Sequence, residues 1–505
     1  MDTVSRRVGG QGMDGARMEA TGVWTGWLVG LDYGQTGIKV VALRPGSALR
    51  VGAVPSVPRE AVFTVGPVTY RHLSDPEKLF QRGVTLVADL LGPDDDTPIA
   101  IAVSSAGPPL VAVDAANRAL CPVIGYWEGM DEAAAESALP FDRRRFARLA
   151  GGPYDYHPPV VQLAWLTQRD NELASRLAAV LSIGGYVAAR LSGRRAAEPS
   201  TAGASGAFNR ETRGWADTVL RAGGLRRAWF PPVVPSGTLL GEGRIGRHPT
   251  WVVSGAHDYL AAALAAGLSE PDEALNLLGT WEMATRFVRI GPRGGWGDPD
   301  RHRTLHDLHV VPERGTFTLE CWLGGQIEWA RQMLGLSPAE FFARAAAAGP
   351  AAPRGLSYAP FLGSQFFPPE RRGHEAGFFG LGPSTTRDAL ARAVLEGLAY
   401  LGARMVEQLE AVAEEPMARI VLGGGASRNR LMAELKADML NRPVWVHRVP
   451  DLSGLGAALL AGVGVGVYAD VGAARESFKD AIDPVYPDAV RHRLYRGFFD
   501  ALHWV

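Results

Sequence analysis

The stretch WLVGLDYGQTGIKVVALRPG, Trp27 to Gly46, decides how the rest of the chain is read. Two apolar runs rich in β-branched residues flank a short glycine-bearing turn, the pattern of a hairpin that opens a sheet. Asp32, Gly34, Gln35 and Thr36 lie at the turn, and Lys39 is read as part of the same Gly-rich turn. Half a chain later, ALNLLGTWEMATRFVRIGP, Ala274 to Pro292, repeats the arrangement with Gly279 and Thr280 at its turn. An internal duplication is the simplest account of two such hairpins.

Working outward, 505 residues exceed what one core serves. The reading is a leader at 1–24, a first domain at 25–260 and a second at 261–505. The leader is rich in Gly, Arg and polar residues, is expected to be disordered and lacks the apolar run of a secretory signal. Pro98 to Leu120 reads as strand, loop, strand. Helical periodicity covers Asp131 to Ala150, Val161 to Leu191, Gly325 to Leu336, Pro338 to Ala348 and Thr386 to Glu414, the last opened by Thr385-x-x-Asp388. Mixed strand and helix runs predict two α/β domains with mixed sheets flanked by helices, crossing over near Ala256 to Ser269.

The composition is 47% hydrophobic and 21% charged with a formal net charge of -1, which gives no electrostatic case for nucleic acid or anionic membrane. Cys121 and Cys321 are the two cysteines, too few for a disulfide scaffold or a cysteine-built metal site, and they suit the cytoplasm. The apolar, Gly-rich run Leu455 to Tyr468 is too short to span ~30 Å of hydrocarbon.

Four segments carry chemistry. Backbone amides of a Gly-bearing turn can approach phosphate oxygens, and a carboxylate such as Asp32 beside it can hold Mg²⁺ through water. An ordinary hairpin whose Asp caps its turn has the same local sequence. In RIVLGGGASRNRLMAELKADMLNRPVWV, Arg419 to Val446, an apolar strand ends in Gly423, Gly424 and Gly425 before a helix expected near Arg428, a place for a nucleotide or simply a tight turn. The spacing matches neither a P-loop nor a dinucleotide fingerprint. In WVVSGAHDYLAAALAAGL, Trp251 to Leu268, a strand runs through His257 into a helix headed by Asp258. A carboxylate there is a helix cap or a general base.

Taken in order, LDYGQTGIK, SGAHDYLAAALAAG, LLGTWE and VLGGGASRNRLMAELKADMLNRPV resemble the motifs of the FGGY carbohydrate kinases, a branch of the actin-like ATPases, from about Trp27 onward. The resemblance implies two actin-like (ribonuclease H-like) domains, with ATP and Mg²⁺ between them and a sugar held mainly by the first. It implies Asp258 as the base and Asp32 near the metal. Gly34, Gln35, Thr36, Lys39, Gly279, Thr280, Gly423, Gly424, Gly425 and Asn429 would surround the nucleotide. Gly279 to Glu282, the Ala-His-Asp run and Ala202 to Ser205 are most similar to L-fuculokinase-like and rhamnulokinase-like members, which implies a ketose, deoxyketose or related polyol.

Departures fall where the sugar should bind. Ser105-Ala106-Gly107-Pro108-Pro109 stands where the family often has Gly-Gln-x-His, and Tyr126-Trp127-Glu128-Gly129-Met130 replaces its Trp-x-Asp-x-Arg element. Ser105, Tyr126, Trp127, Glu128, His257 and Asp258 are the expected sugar contacts, in a monomer or homodimer. A non-catalytic sugar or nucleotide sensor and an actin-like ATPase with a protein client are the rival readings. His302, His306 and His309 precede an apolar run and read as surface or core residues rather than a zinc site.

Overall fold

The computed structural model describes residues 24–44, 49–66, 68–92, 96–107, 109–125, 132–151, 158–291, 304–362, 367–368, 375–413 and 415–502. The expected leader, Tyr126 to Glu128 and His302 lie outside the described residues, apart from Trp24.

The opening hairpin forms as expected, from β1 (Trp27–Tyr33) and β2 (Gly37–Leu43). With β3 (Arg50–Pro55), β4 (Ile99–Ser105), β5 (Leu239–Ile245) and β6 (His248–His257) it makes a six-stranded sheet ordered β5-β6-β4-β1-β2-β3. β1 pairs antiparallel with β2 and parallel with β4, which in turn runs parallel to β6.

The second hairpin opens a seven-stranded sheet built from β7 (Glu273–Leu278), β8 (Trp281–Arg289), β9 (Leu305–Leu308), β10 (Arg314–Trp322), β11 (Arg419–Gly423), β12 (Val444–His447) and β13 (Ile482–Val485). Its order is β9-β10-β8-β7-β11-β12-β13. β7 is antiparallel to β8 and parallel to β11, and β11 is parallel to β12. Apart from the extra edge strand β9, the two sheets share one strand order and one set of directions, as the duplicated hairpins foreshadowed.

All seven residues of β1 are buried because both faces of its sheet are covered. Val29, Leu31 and Tyr33 pack with Leu79, Phe80 and Val87 of α1 (Pro76–Leu91). On the other face Leu28, Val41, Ala100 and Ala102 join a core made by two helices, α4 (Asp258–Ala265) and α7 (Leu452–Gly464). Leu275, Phe287 and Val421 of the second sheet enter the same core. The second sheet's far face carries α5 (Arg387–Ala413) and α6 (Arg430–Leu440). The order of layers is therefore helices, sheet, α4 with α7, sheet, helices.

The middle layer is made thin by small side chains. A Cβ on Gly30 would lie 1.8 Å from the Gly454 carbonyl oxygen, and one on Gly456 would lie 1.9 Å from that of Ala261.

Some expected helices differ. The stretch from Val161 to Leu191 splits into Pro159–Arg169, Asn171–Arg176, the strand Ala179–Ser182 and α2 (Ile183–Ser192). Three apolar residues and a serine between two helices are too few to break a helical period. The run Asp131 to Ala150 forms Glu132–Ala138 and Arg143–Ala150, the second capped by Asp142 through Arg145 N–H at 2.7 Å. Thr386, not Thr385, caps α5, accepting from Ala389 N–H at 3.1 Å. Among the described residues no helix is long and apolar enough to cross a membrane.

Gly30→Val should lower unfolding free energy by about 2 kcal/mol or more, since backbone rather than a mobile side chain blocks the new atoms. Urea titration against Gly214→Ala, whose Cβ meets nothing within 4 Å and whose φ is not positive, checks this.

Candidate active site

Asp32 ends β1 beside the first turn and is 2% exposed. Its Oδ1 accepts from Ser104 Oγ at 2.9 Å, and its Oδ2 lies 3.3 Å from Lys39 Nζ. The same ammonium is 3.4 Å from Oδ1 of Asp451, the N-cap residue of α7. Asp258, the first residue of α4, completes the group, its Oδ1 accepting from Tyr259 N–H at 2.7 Å. One cation thus faces three carboxylates at the end of the middle layer.

Burial pushes the Asp32 carboxyl up, Lys39 opposes the rise and the charge of Asp258 adds to it. Asp258 is raised to about 6 by burial, against the pull of Tyr259 N–H and Lys39. Burial with the charge of Asp32 raises Asp451 to about 6. Burial works against the Lys39 cation, but Asp32 and Asp451 outweigh it and hold the group above its ordinary range.

The two turns close alike, Gly34 N–H donating to Gly37 O at 3.0 Å and Gly279 N–H to Trp281 O at 3.1 Å. Gln35 and Thr36 are exposed at the first, and Thr280 O accepts from Gly324 N–H at 2.9 Å at the second. Gly423 ends β11. Gly424 has φ of 84°, and a Cβ on it would lie 2.6 Å from Leu278 O, so the triglycine bend abuts the strand leading into Gly279. No atom lies within 4 Å of a Cβ built on Gly425. This bare backbone beside a phosphate-type turn suits a nucleotide. α6 starts at Arg430, close to the expected Arg428: Ala426–Arg428 first make a 3₁₀ turn and Asn429 Oδ1 caps the helix through Met432 N–H at 3.2 Å.

On the expected sugar side, the Ser105 side chain is buried and its Oγ accepts from Gly184 N–H of α2 at 3.4 Å, while its neighbour Ser104 reaches Asp32. His257 is also buried, with Nε2 3.4 Å from Asp258 Oδ1. Burial lowers its ring to about 4, so it is neutral. His306 stacks on Phe317 at 4.2 Å, a core position as expected. Among the described residues no three His, Cys, Asp or Glu side chains are placed to hold a metal.

Sequence reasoning missed Asp451, Ser104 and Glu320. Asp451 precedes an apolar Gly-rich helix, a signal that an N-cap explains equally well. Glu320 sits on β10 on the face shared with Thr316, whose Oγ1 is 3.1 Å from Tyr259 Oη. Burial, then the charges of Asp307 and Asp258, raise its carboxyl to about 7.

Residues 27–265 match the N-terminal domain, and residues 315–465 the C-terminal domain, of the FGGY family of carbohydrate kinases. The chain belongs to this family. A glycerol kinase of Gloeobacter violaceus is 26% identical over 488 residues, 94% of this chain and 95% of its own. An L-fuculokinase of Salmonella typhi is 28% identical over 397 residues, 74% of this chain and 79% of its own. The xylulose kinase of Rhodospirillum rubrum shares the fold with a TM-score of 0.75 at 24% identity, over 94% of this chain and 98% of its own. The two sheets are the actin-like folds of FGGY kinases, and the chain is a carbohydrate kinase of a family that uses ATP as phosphate donor.

Lys39→Met removes the cation that Asp32 and Asp451 share. Both carboxyls already sit above their unfolded values, so they favour the fold when protonated and lose that contribution as pH rises through the folded values. The variant should be about 1 kcal/mol less stable than the parent at pH 8, a figure discounted because the Lys39 side chain is 40% exposed. The gap should shrink toward pH 5, as urea titrations at both values would show.

Proposed function

We propose that this FGGY kinase transfers the γ-phosphoryl group of ATP to a hydroxyl of a ketose, deoxyketose or related polyol, with Asp258 as general base. The observation that carries the proposal is the placement of Asp258. It heads α4, its side chain is 24% exposed and its carboxyl is raised to about 6. A carboxyl tuned in this way is ionised at neutral pH yet more basic than an ordinary Asp.

Tyr259 N–H donates to Asp258 Oδ1, and Nε2 of neutral His257 lies 3.4 Å from the same oxygen. Oδ2 is then the oxygen left to take the proton of the attacking hydroxyl. On this reading His257 orients the base, and Tyr126, Trp127 and Glu128 remain the proposed sugar contacts.

The turns at Gly34 to Thr36 and at Gly279 and Thr280 would hold the phosphates, with Lys39 beside them. The Gly423 to Gly425 bend with Asn429 would hold the adenosine. Bound ATP would supply the phosphoryl group, and Asp32 would hold a Mg²⁺ ion that offsets its charge. The work of the chain is to position the reactants and exclude water. We place the division between the two domains at 260/261 and the enzyme in the cytoplasm, where its two buried, unpaired cysteines would stay reduced.

A coupled ADP-release assay over ketoses, deoxyketoses and polyols identifies the substrate class. Asp258→Asn should cut kcat by about 10²- to 10⁴-fold while melting temperature and binding of a non-hydrolysable ATP analogue are kept. Near-parental turnover by that variant would remove Asp258 from the role. The parent's kcat/KM should fall as pH drops through about 6, where Asp258 takes up a proton.

A further inference from the structure

Behind the second turn lies a charged pair that the proposed chemistry does not use. Lys436 of α6 donates to Glu282 Oε1 of β8, and both side chains are at most 1% exposed. Asn276 of β7 donates to the same oxygen through Nδ2 at 2.9 Å. Glu282 stands two residues after Thr280, and Lys436 lies on the helix that follows the triglycine bend. α5 makes room for them at Gly402, where a Cβ would lie 1.8 Å from Lys436 Nζ and 2.0 Å from Glu282 Oε1.

The cluster is poorly arranged for stability. Glu282 Oε2 and Asn276 Oδ1 are buried with no hydrogen-bond partner among the described residues. Buried ion pairs contribute little net stability against well-packed apolar side chains of similar volume, and orphaned acceptors make the balance worse. The β7–β11 ladder already sets Leu277 beside Gly423 in front of the pair; what the pair adds is a fixed, directional link from the start of β8, just past the turn, back to α6.

We propose that Lys436 and Glu282 are positioning residues for the nucleotide, locking the phosphate turn at Gly279 and Thr280 to the helix behind the Gly423 to Gly425 bend. The inference rests on the reading of those two elements as the ATP site. Neither side chain touches the nucleotide; each acts through backbone. Holding the turn and the bend in one register fixes the distance between the polyphosphate and the adenosine, and a displacement of about 1 Å at such a point costs about 10²-fold in rate.

The test is the paired substitution Lys436→Met with Glu282→Leu, which removes both charges together and avoids stranding one. The melting temperature should stay within a few degrees of the parent's, because the apolar pair replaces a weakly stabilising ion pair. Calorimetric binding of a non-hydrolysable ATP analogue should weaken about 10-fold or more. KM for ATP should rise with it while KM for the phosphoryl acceptor is unchanged. Amide hydrogen exchange at Gly279 to Trp281 should speed up, a change that a purely structural pair held at equal stability would not give.

Parental analogue affinity and exchange in the folded double variant overturn the inference. Should that variant not fold, Lys436→Gln with Glu282→Gln carries the same measurements; failure of both to fold also overturns it, since the pair would then serve the fold itself. If the parent binds no ATP analogue, the kinase reading fails instead, which separates the two.

Discussion

The close passage of α4 against α7 is the constraint on which the rest depends. Both helices lie between two sheets, and Gly30, Gly456 and a run of alanines let backbones approach where larger side chains would hold them apart. That approach brings two helix N-termini to one place. Asp258 heads one helix and Asp451 stands at the N-cap position of the other, and the positive ends of the helix dipoles favour carboxylates there. Lys39 reaches Asp32 and Asp451 from the first sheet. The electrostatic centre of the site is thus a product of small-residue packing about one helical turn away.

Much of the fold was legible because it was written in short-range signals. The hairpins declared themselves by β-branched runs around glycine turns, and their repetition anticipated two sheets with one strand order. The crossover near Ala256 to Ser269 is occupied by α4 as the strand-then-helix pattern suggested. The strand Ala179–Ser182 was illegible because its pairing partner, Leu110–Val113, lies some seventy residues away and its own composition fits the flanking helices.

The site was legible in part. Local patterns left Asp32, Lys39 and Asp258 open between ordinary turn or cap and functional roles, and the resemblance decided between them; Asp451 drew no notice, since its proximity to them depends on the long return of the chain. Ser105 and Ser104 are neighbours with opposite fates. In a strand they must face opposite ways, and sequence alone does not say which face meets the cleft. Glu320 was hidden for a similar reason, its relation to Asp258 arising only from the facing of β10 against α4.

The return of α7 to the first sheet has a consequence for how the chain is made. The face formed by Leu28, Val41, Ala100 and Ala102 finds its cover in a helix that begins at Leu452. A ribosome that has finished the first half has therefore produced a sheet with one side bare, and that side must wait for almost all of the remaining chain. The two halves resemble each other as copies, yet the first borrows α7 from the second to cover its sheet. A first half made as a separate piece would leave that face open to water.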